Sequence, residues 1–254
     1  MRRAVFNQKG GVGKTTITCN LAAISAHNDK RTLVIDLDPQ GNSTQYLLGS
    51  VEQVCETTLV DYFEEQLYRT LEPQGLKACI HETLFERLDL APSHPDLEYL
   101  AEKLESRHKM YKLKEALDSF SDYDCIYMDT PPALNFYTRS ALIAANACLI
   151  PFDCDYLSRR ALYVLLDIVN EVRRDHNSGL ELEGIIVNQF QLTANLPKKI
   201  VSELLGEGLP VLDTYLSSSI KIRESREKAL PLVYLAPRHK LTRQFQALYQ
   251  ELKS

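Results

Sequence analysis

No stretch of this chain is apolar over the twenty or so residues that a membrane-spanning helix needs. No Cys-x-x-Cys pair occurs: the six cysteines stand apart at positions 19, 55, 79, 125, 148 and 154. That spacing excludes a zinc ribbon and a redox dithiol and suits reduced thiols in a cytosolic protein. Basic charge is not in excess either. Twenty-nine Lys and Arg against 34 Asp and Glu leave a net charge of −5, which excludes a constitutive nucleic-acid coat; any contact with DNA must come from a local patch. There is no internal repeat and no low-complexity tract. The chain runs from Arg2-Arg3 straight into a strand-like segment, with no signal peptide.

What is present is 254 residues, 44% of them hydrophobic and 25% charged, enough for one large α/β domain, residues 1–254, with a substantial core. Short apolar runs at 4–6, 32–35, 125–128, 147–152 and 184–187 read as buried parallel strands. Residues 211–215 and 232–235 are weaker strand candidates. Helical patterns cover 15–26, 97–120 (with a break near Arg107-His108), 157–174, 197–205 and 240–252. Strands alternating with helices predict right-handed βαβ units and a doubly wound, mainly parallel sheet with helices on both faces. Residues 50–95 carry no clear pattern and are taken as an excursion from the same domain.

The most informative segment is Lys9-Gly10-Gly11-Val12-Gly13-Lys14-Thr15-Thr16, between a strand and a helix. Glycines let backbone N–H groups close around phosphate oxygens, Lys14 reaches the β and γ phosphates, and the Thr15 hydroxyl ligates magnesium. The standard motif has glycine five residues before Gly13; here Gln8 stands there and Lys9 follows. A second segment, Leu33-Val-Ile-Asp36-Leu-Asp38-Pro-Gln-Gly-Asn, ends a strand with two carboxylates two residues apart. Strand alternation points both the same way, so that one can orient water or magnesium and the other accept a proton. A third, Cys125-Ile-Tyr-Met-Asp129-Thr-Pro-Pro132, ends an apolar strand with an aspartate suited to holding magnesium. Its two prolines stiffen a turn that can sense the γ phosphate.

These three segments resemble the deviant Walker A, A′ and B motifs of the ParA/MinD family of ATPases, and the Asp-Pro-Gln-Gly-Asn continuation leans toward the ParA branch. The resemblance spans nearly the whole chain and is poorest at 50–95. It implies a P-loop nucleotide triphosphatase fold with ATP and Mg2+ as cofactors and hydrolysis of ATP to ADP and phosphate. It implies that Lys9 reaches across an ATP-dependent homodimer to the partner's nucleotide, with Lys14 as the loop lysine and Thr15 as a magnesium ligand. Asp38 is then the aspartate needed for hydrolysis and Asp129 the Walker B carboxylate, with Asp36 beside the metal. Asn188, which ends Gly184-Ile-Ile-Val-Asn188-Gln-Phe190, matches a position that contacts adenine.

Lys221, Arg223, Arg226 and Lys228 bring four cations into eight residues, diluted by Glu224 and Glu227. Read by itself, such a run is a solvated helix face with internal pairs. The resemblance implies non-specific DNA binding at Ile220-Lys221-Ile-Arg223-Glu-Ser, with Arg159-Arg160 and Lys198-Lys199 as secondary candidates. No helix-turn-helix extension precedes the phosphate loop, which favours non-specific coating of DNA over operator reading. The implied whole is a cytoplasmic, nucleoid-associated ATPase that partitions or positions DNA or another cargo, with a ParB-like or adaptor protein stimulating hydrolysis. Three other readings compete. A membrane-positioning ATPase like MinD would use Leu241, Phe245, Leu248 and Leu252 as a lipid-inserting stripe; the plainer expectation is a terminal helix packed on the sheet. An electron-transfer protein would need cysteines at a subunit junction, whereas Cys125 and Cys148 sit in strands. A housekeeping kinase fits any phosphate loop but not Lys9 or Asp38-Pro-Gln-Gly.

Overall fold

The computed structural model describes residues 1–49, 55–68, 71–191 and 193–252. Seven strands form one sheet: β1 (Arg2–Val5), β2 (Thr32–Asp36), β3 (His81–Glu82), β4 (Leu88–Ala91), β5 (Cys125–Asp129), β6 (Ala147–Asp153) and β7 (Glu181–Asn188), in the order β3-β4-β2-β5-β1-β6-β7. Every neighbouring pair is parallel except β3–β4. The helices are α1 (Lys14–His27), α2 (Asn42–Leu48), α3 (Leu59–Leu67), α4 (Leu97–Ser106), α5 (Lys112–Asp118), α6 (Phe136–Ala144), α7 (Tyr156–Asp175), α8 (Asn195–Gly206), α9 (Lys221–Glu227), α10 (Leu232–Leu235) and α11 (Lys240–Glu251).

The two-residue period of each strand sorts its side chains into two cores. Leu33 and Ile35 of β2, Ile126 and Met128 of β5, and Cys148 and Ile150 of β6 pack against α3 to α8. Val34, Cys125, Tyr127 and Leu149 face the other way, onto α1, α2, α10 and α11. A sheet covered on both sides buries the whole of β2 and β5, which is why those strands read as unbroken apolar runs. The doubly wound α/β fold is as the sequence pattern predicts. The helical stretch 97–120 breaks where expected, at His108 with its φ of 53°.

Two weaker strand expectations are corrected. Residues 232–235 form the short helix α10, entered from Pro231, whose fixed φ suits the approach to a first turn. Residues 211–215 touch β7 through one isolated bridge, Ile185↔Val211, and form no strand. The stretch 50–95, unread in the sequence, contributes α3, β3 and β4, and β4 pairs with β2 inside the same sheet; residues 50–54 and 69–70 lie outside the described residues.

The stripe on α11 is spent on the core: Leu241, Phe245, Leu248 and Leu252 are each at most 4% exposed, in the cluster shared with α1. That leaves no apolar face on α11 for lipid. Among the described residues no helix is long and apolar enough to cross a membrane. Cys125 and Cys148 are both buried.

A nucleotide-sized cleft at the carboxyl ends of the strands

In an open parallel sheet the ligand crevice lies beyond the carboxyl ends of the strands. Here β1, β2, β5 and β7 deliver the phosphate loop, Asp36, Asp129 and Asn188 to that edge, with Val5 and Asp36 each in register with Asp129. A cleft of about 510 Å³ opens there, lined by Gly10, Gly11, Gly13, Lys14, Thr15 and Thr16, by Asp38, and by Asn188. Its size is that of a small-molecule site.

The loop is shaped by glycine where no other residue fits. Gly13 holds φ at 96°, and a Cβ there would lie 2.3 Å from the Asn188 amide nitrogen. That nitrogen donates to the Val12 carbonyl at 2.8 Å, and Gln189 donates to the Gly11 carbonyl at 3.1 Å. The turn after β7 thus clasps the loop from outside.

Lys14 is 7% exposed, and its ammonium makes a long hydrogen bond, 3.3 Å, to the Lys9 carbonyl. Burial lowers its pKa, against the pull of Asp129 and Asp38. A desolvated ammonium in a glycine-rich loop is an anion site by construction. Asp129 is fully buried. Its Oδ2 accepts from the Thr15 hydroxyl and from the Ser43 hydroxyl, each at 2.7 Å, whereas its Oδ1 has no partner. An orphaned buried carboxylate oxygen beside a threonine hydroxyl and a phosphate loop fits a magnesium site. Magnesium takes one or two protein groups and fills the rest of its shell with phosphate and water. This agrees with the lack, among the described residues, of any cluster of three or more His, Cys, Asp or Glu arranged as a closed metal cage.

Asp38 lines the cleft and is 6% exposed. Its Oδ1 accepts from the Gln40 amide at 3.1 Å, and its carbonyl accepts from the Ser93 hydroxyl at 2.6 Å; burial raises its pKa. Asp36 is committed elsewhere. Its Oδ2 accepts from the amide and hydroxyl of Thr44, both at 2.7 Å, and its Oδ1 from the Asp38 amide at 3.3 Å. Its carboxyl is an acceptor seated at the N-terminus of α2, where orphan N–H groups need one, and it does not line the cleft. Ser43, Thr44, Ser93 and Gln189 were not singled out from the sequence; the first two directly follow Asp38-Pro-Gln-Gly-Asn, so their nearness to the site was available there.

Lys9 sits at the lip. Its ammonium is 2.6 Å from Asp155 and 3.8 Å from Asp153, a pairing that raises its pKa, and it does not line the cleft of its own chain. The cations of α9 divide. Arg223 and Arg226 border the cleft, whereas Lys221 pairs with Glu224 at 2.6 Å. Of the secondary candidates, Arg159 bridges Glu203 and Glu207 between α7 and α8, and Lys199 lies 4.0 Å from Glu203.

The buried carboxylates carry a measurable cost. Burial raises Asp129 from 3.8 to about 6 and raises Asp36 as well. The folded chain therefore holds the Asp129 proton at a pH where the unfolded chain has lost it. Without metal, the stability that the protonated carboxyl contributes at low pH is lost as pH rises through its raised pKa. Asp129→Asn is expected to raise the thermal midpoint of the metal-free protein at pH 7 while removing the extra stabilisation that magnesium with ATP confers. Melting curves with and without Mg–ATP check both, and a lower midpoint for the metal-free variant would contradict the electrostatic account.

Comparison with known proteins agrees with this geometry. A family profile described as an AAA domain matches residues 3–182. The chromosome partitioning protein ParA of Myxococcus xanthus is 32% identical over 251 residues, covering 98% of this chain and 86% of that protein. The sporulation initiation inhibitor protein Soj of Bacillus subtilis is 32% identical over 241 residues, covering 92% and 91%. Among solved structures, cobyrinic acid a,c-diamide synthase from Mycobacterium smegmatis with bound ADP and magnesium superposes with a TM-score of 0.77 at 27% identity, covering 90% and 91%.

Proposed function

This chain belongs to the ParA/MinD family of partition ATPases, and on that footing we propose that it hydrolyses Mg–ATP as a dimer that binds DNA non-specifically while ATP is held, one domain carrying all of these activities. The observation that carries the nucleotide half is the Asp129 carboxylate: two hydroxyls on one oxygen, one of them from Thr15 of the phosphate loop, and none on the other. Backbone N–H groups of Gly10 to Thr16 and the Lys14 ammonium hold the phosphates. Thr15 and Asp129 would hold magnesium, which would supply electrostatic stabilisation of the phosphoryl charge. Asp38 orients the attacking water and takes its proton. The partner's Lys9 stabilises charge on the γ group, which couples turnover to assembly. Asn188 borders the base.

The DNA half rests on α9. Lys221 and Lys228 are its outward cations, with Arg223 and Arg226 at the cleft border. The Lys221–Glu224 pair is half-exposed on both sides, and such surface pairs are worth about 0–1 kcal/mol, so a phosphate can displace the glutamate. A single protomer making a few phosphate contacts binds DNA at about 10⁻⁴–10⁻⁶ M; two faces joined in one dimer gain by effective concentration. A ParB-like or adaptor protein then stimulates hydrolysis and releases the dimer. DNA retention should therefore require ATP and fail with ADP or no nucleotide. Lys221→Ala is expected to lose most of that ATP-dependent retention and to lower the slope of log K against log salt by about one. Retention equal to the wild type at every salt concentration would remove Lys221 from the face.

A further inference from the structure

The seven residues of α9 present two faces. Lys221 and Glu224, three apart, share one side with Lys228 just past the helix end. Ile222, Arg223 and Arg226 line the nucleotide cleft. What fixes this rotation is a buried chain of hydrogen bonds. Ser225 is fully buried, and its hydroxyl lies 2.6 Å from the Leu230 carbonyl and 2.6 Å from the Tyr46 hydroxyl. Ser225 has one proton and spends it on the Leu230 carbonyl, so Tyr46 is the donor to Ser225. Tyr46 in turn accepts from the Asn20 amide at 3.1 Å, and the same amide donates to the Thr16 carbonyl at 2.8 Å. The Asn20 side-chain oxygen accepts from the Leu232 N–H at 2.9 Å. Every member is satisfied, and Asn20, Tyr46 and Ser225 are each at most 2% exposed. A fully satisfied buried network is a rigid one. It ties α9 to α1, the helix that leaves the phosphate loop, and to α2, which follows Asp38.

Held this way, Arg223 and Arg226 are exposed side chains at the cleft border, and neither guanidinium makes a hydrogen bond or ion pair among the described residues. By contrast Lys221 on the opposite face has found a glutamate, and Arg159 has found two. Two guanidinium groups left without an anion, on the wall of a cleft they share with Lys14, Thr16 and Asn42, describe a site whose anion is the ligand. Guanidinium is the side chain that matches phosphate oxygens in a two-point fork.

We propose that Arg226, with Arg223 beside it, binds the polyphosphate of the nucleotide in this cleft, as a cationic clamp supplied by α9 opposite the glycine loop. The inference rests on the reading of the cleft as a nucleotide site and adds residues to it. It has a consequence for the DNA face: Arg226 and Lys221 lie on opposite sides of one short helix, so the nucleotide and DNA pull on the same element. Losing Arg226 would then weaken DNA retention through lost ATP, and excess ATP would restore it.

The test is calorimetric titration of the full chain in magnesium buffer without DNA, using ATP, ADP and, up to millimolar concentration, adenosine. Arg226→Ala is expected to weaken ATP and ADP at least about tenfold, the scale of one charge-assisted hydrogen bond, and to leave adenosine within about twofold. Arg226→Gln should behave like Arg226→Ala, and Arg226→Lys should recover part of the loss. The side chain is exposed, so melting curves of all three variants should match the wild type. ATP affinity within twofold of the wild type for both neutral variants overturns the proposal. So does an equal loss for adenosine, which would make the guanidinium a base contact. A wild type that fails to bind ATP removes the cleft reading itself, and this proposal with it; a wild type that binds while the variants bind equally sinks the proposal alone.

Discussion

Lys9→Ala abolishes the partner-stimulated component of ATP turnover, a loss of about 10³-fold or more on the scale of other trans-acting cations in phosphoryl transfer. The reasoning starts from position. Lys9 is in the loop that surrounds the nucleotide, yet its ammonium lies on Asp155 and outside the cleft of its own chain. Lys14 already serves as the loop cation within the cleft. A second lysine in the same loop contributes to charge stabilisation where its target belongs to another copy. Because the interaction is made only in the assembled transition state, its loss lowers kcat and not the affinity for ATP. Turnover is measured with and without the stimulating partner; stimulated rates equal to the wild type would contradict the role.

Asp38→Ala removes hydrolysis, by about 10²–10⁴-fold for a lost proton acceptor, while ATP stays bound. Asp38 faces the cleft, holds a single amide on Oδ1, and is desolvated enough that burial raises its pKa. A raised carboxylate is a better base at a given pH provided it is ionised. The wild-type rate should thus climb with pH through a value above the ordinary aspartate range and level off. With hydrolysis blocked, the ATP state accumulates, and DNA retention should persist far longer than in the wild type under single-turnover conditions. A variant that releases DNA at the wild-type rate would separate release from hydrolysis and contradict the cycle.

How much of this could be read from the chain depended on length and on specificity of pattern. β2 and β5 are buried throughout, and β1, β6 and residues 184–187 of β7 are buried runs, so each shows as an apolar run, and the residue closing it falls at the ligand edge. The phosphate loop is legible because its glycines answer to geometry: Gly13 has no room for a Cβ. β3 and β4 are two and four residues long, too short for a period to register. One signal in that region was missed: Thr58 and Asp61 form a capping box before Tyr62 and Phe63, which marks the start of α3. The strand expectation at 232–235 failed because a four-residue apolar run does not distinguish strand from buried helix. Side-chain commitments were out of reach altogether. Alternation sends Asp36 and Asp38 to one side, but only the fold reveals that Thr44 claims Asp36. Likewise the spacing of Lys221, Arg223, Arg226 and Lys228 suggests one basic patch, and the rotation of α9, with Ser225 bonded to Tyr46, puts Arg223 and Arg226 on the cleft wall and leaves Lys221 off it.

Mixing the two inactive variants tests the shared site most directly. A Lys9→Ala protomer keeps Asp38, and an Asp38→Ala protomer keeps Lys9, so a mixed dimer contains one complete site if the lysine acts across the interface. In an equal mixture half of the dimers are mixed, and stimulated turnover should return to about a quarter of the wild-type rate by symmetry of a two-fold assembly. If Lys9 serves the nucleotide of its own chain, no combination of these protomers assembles a complete site, and a mixture as inactive as its components would contradict the account.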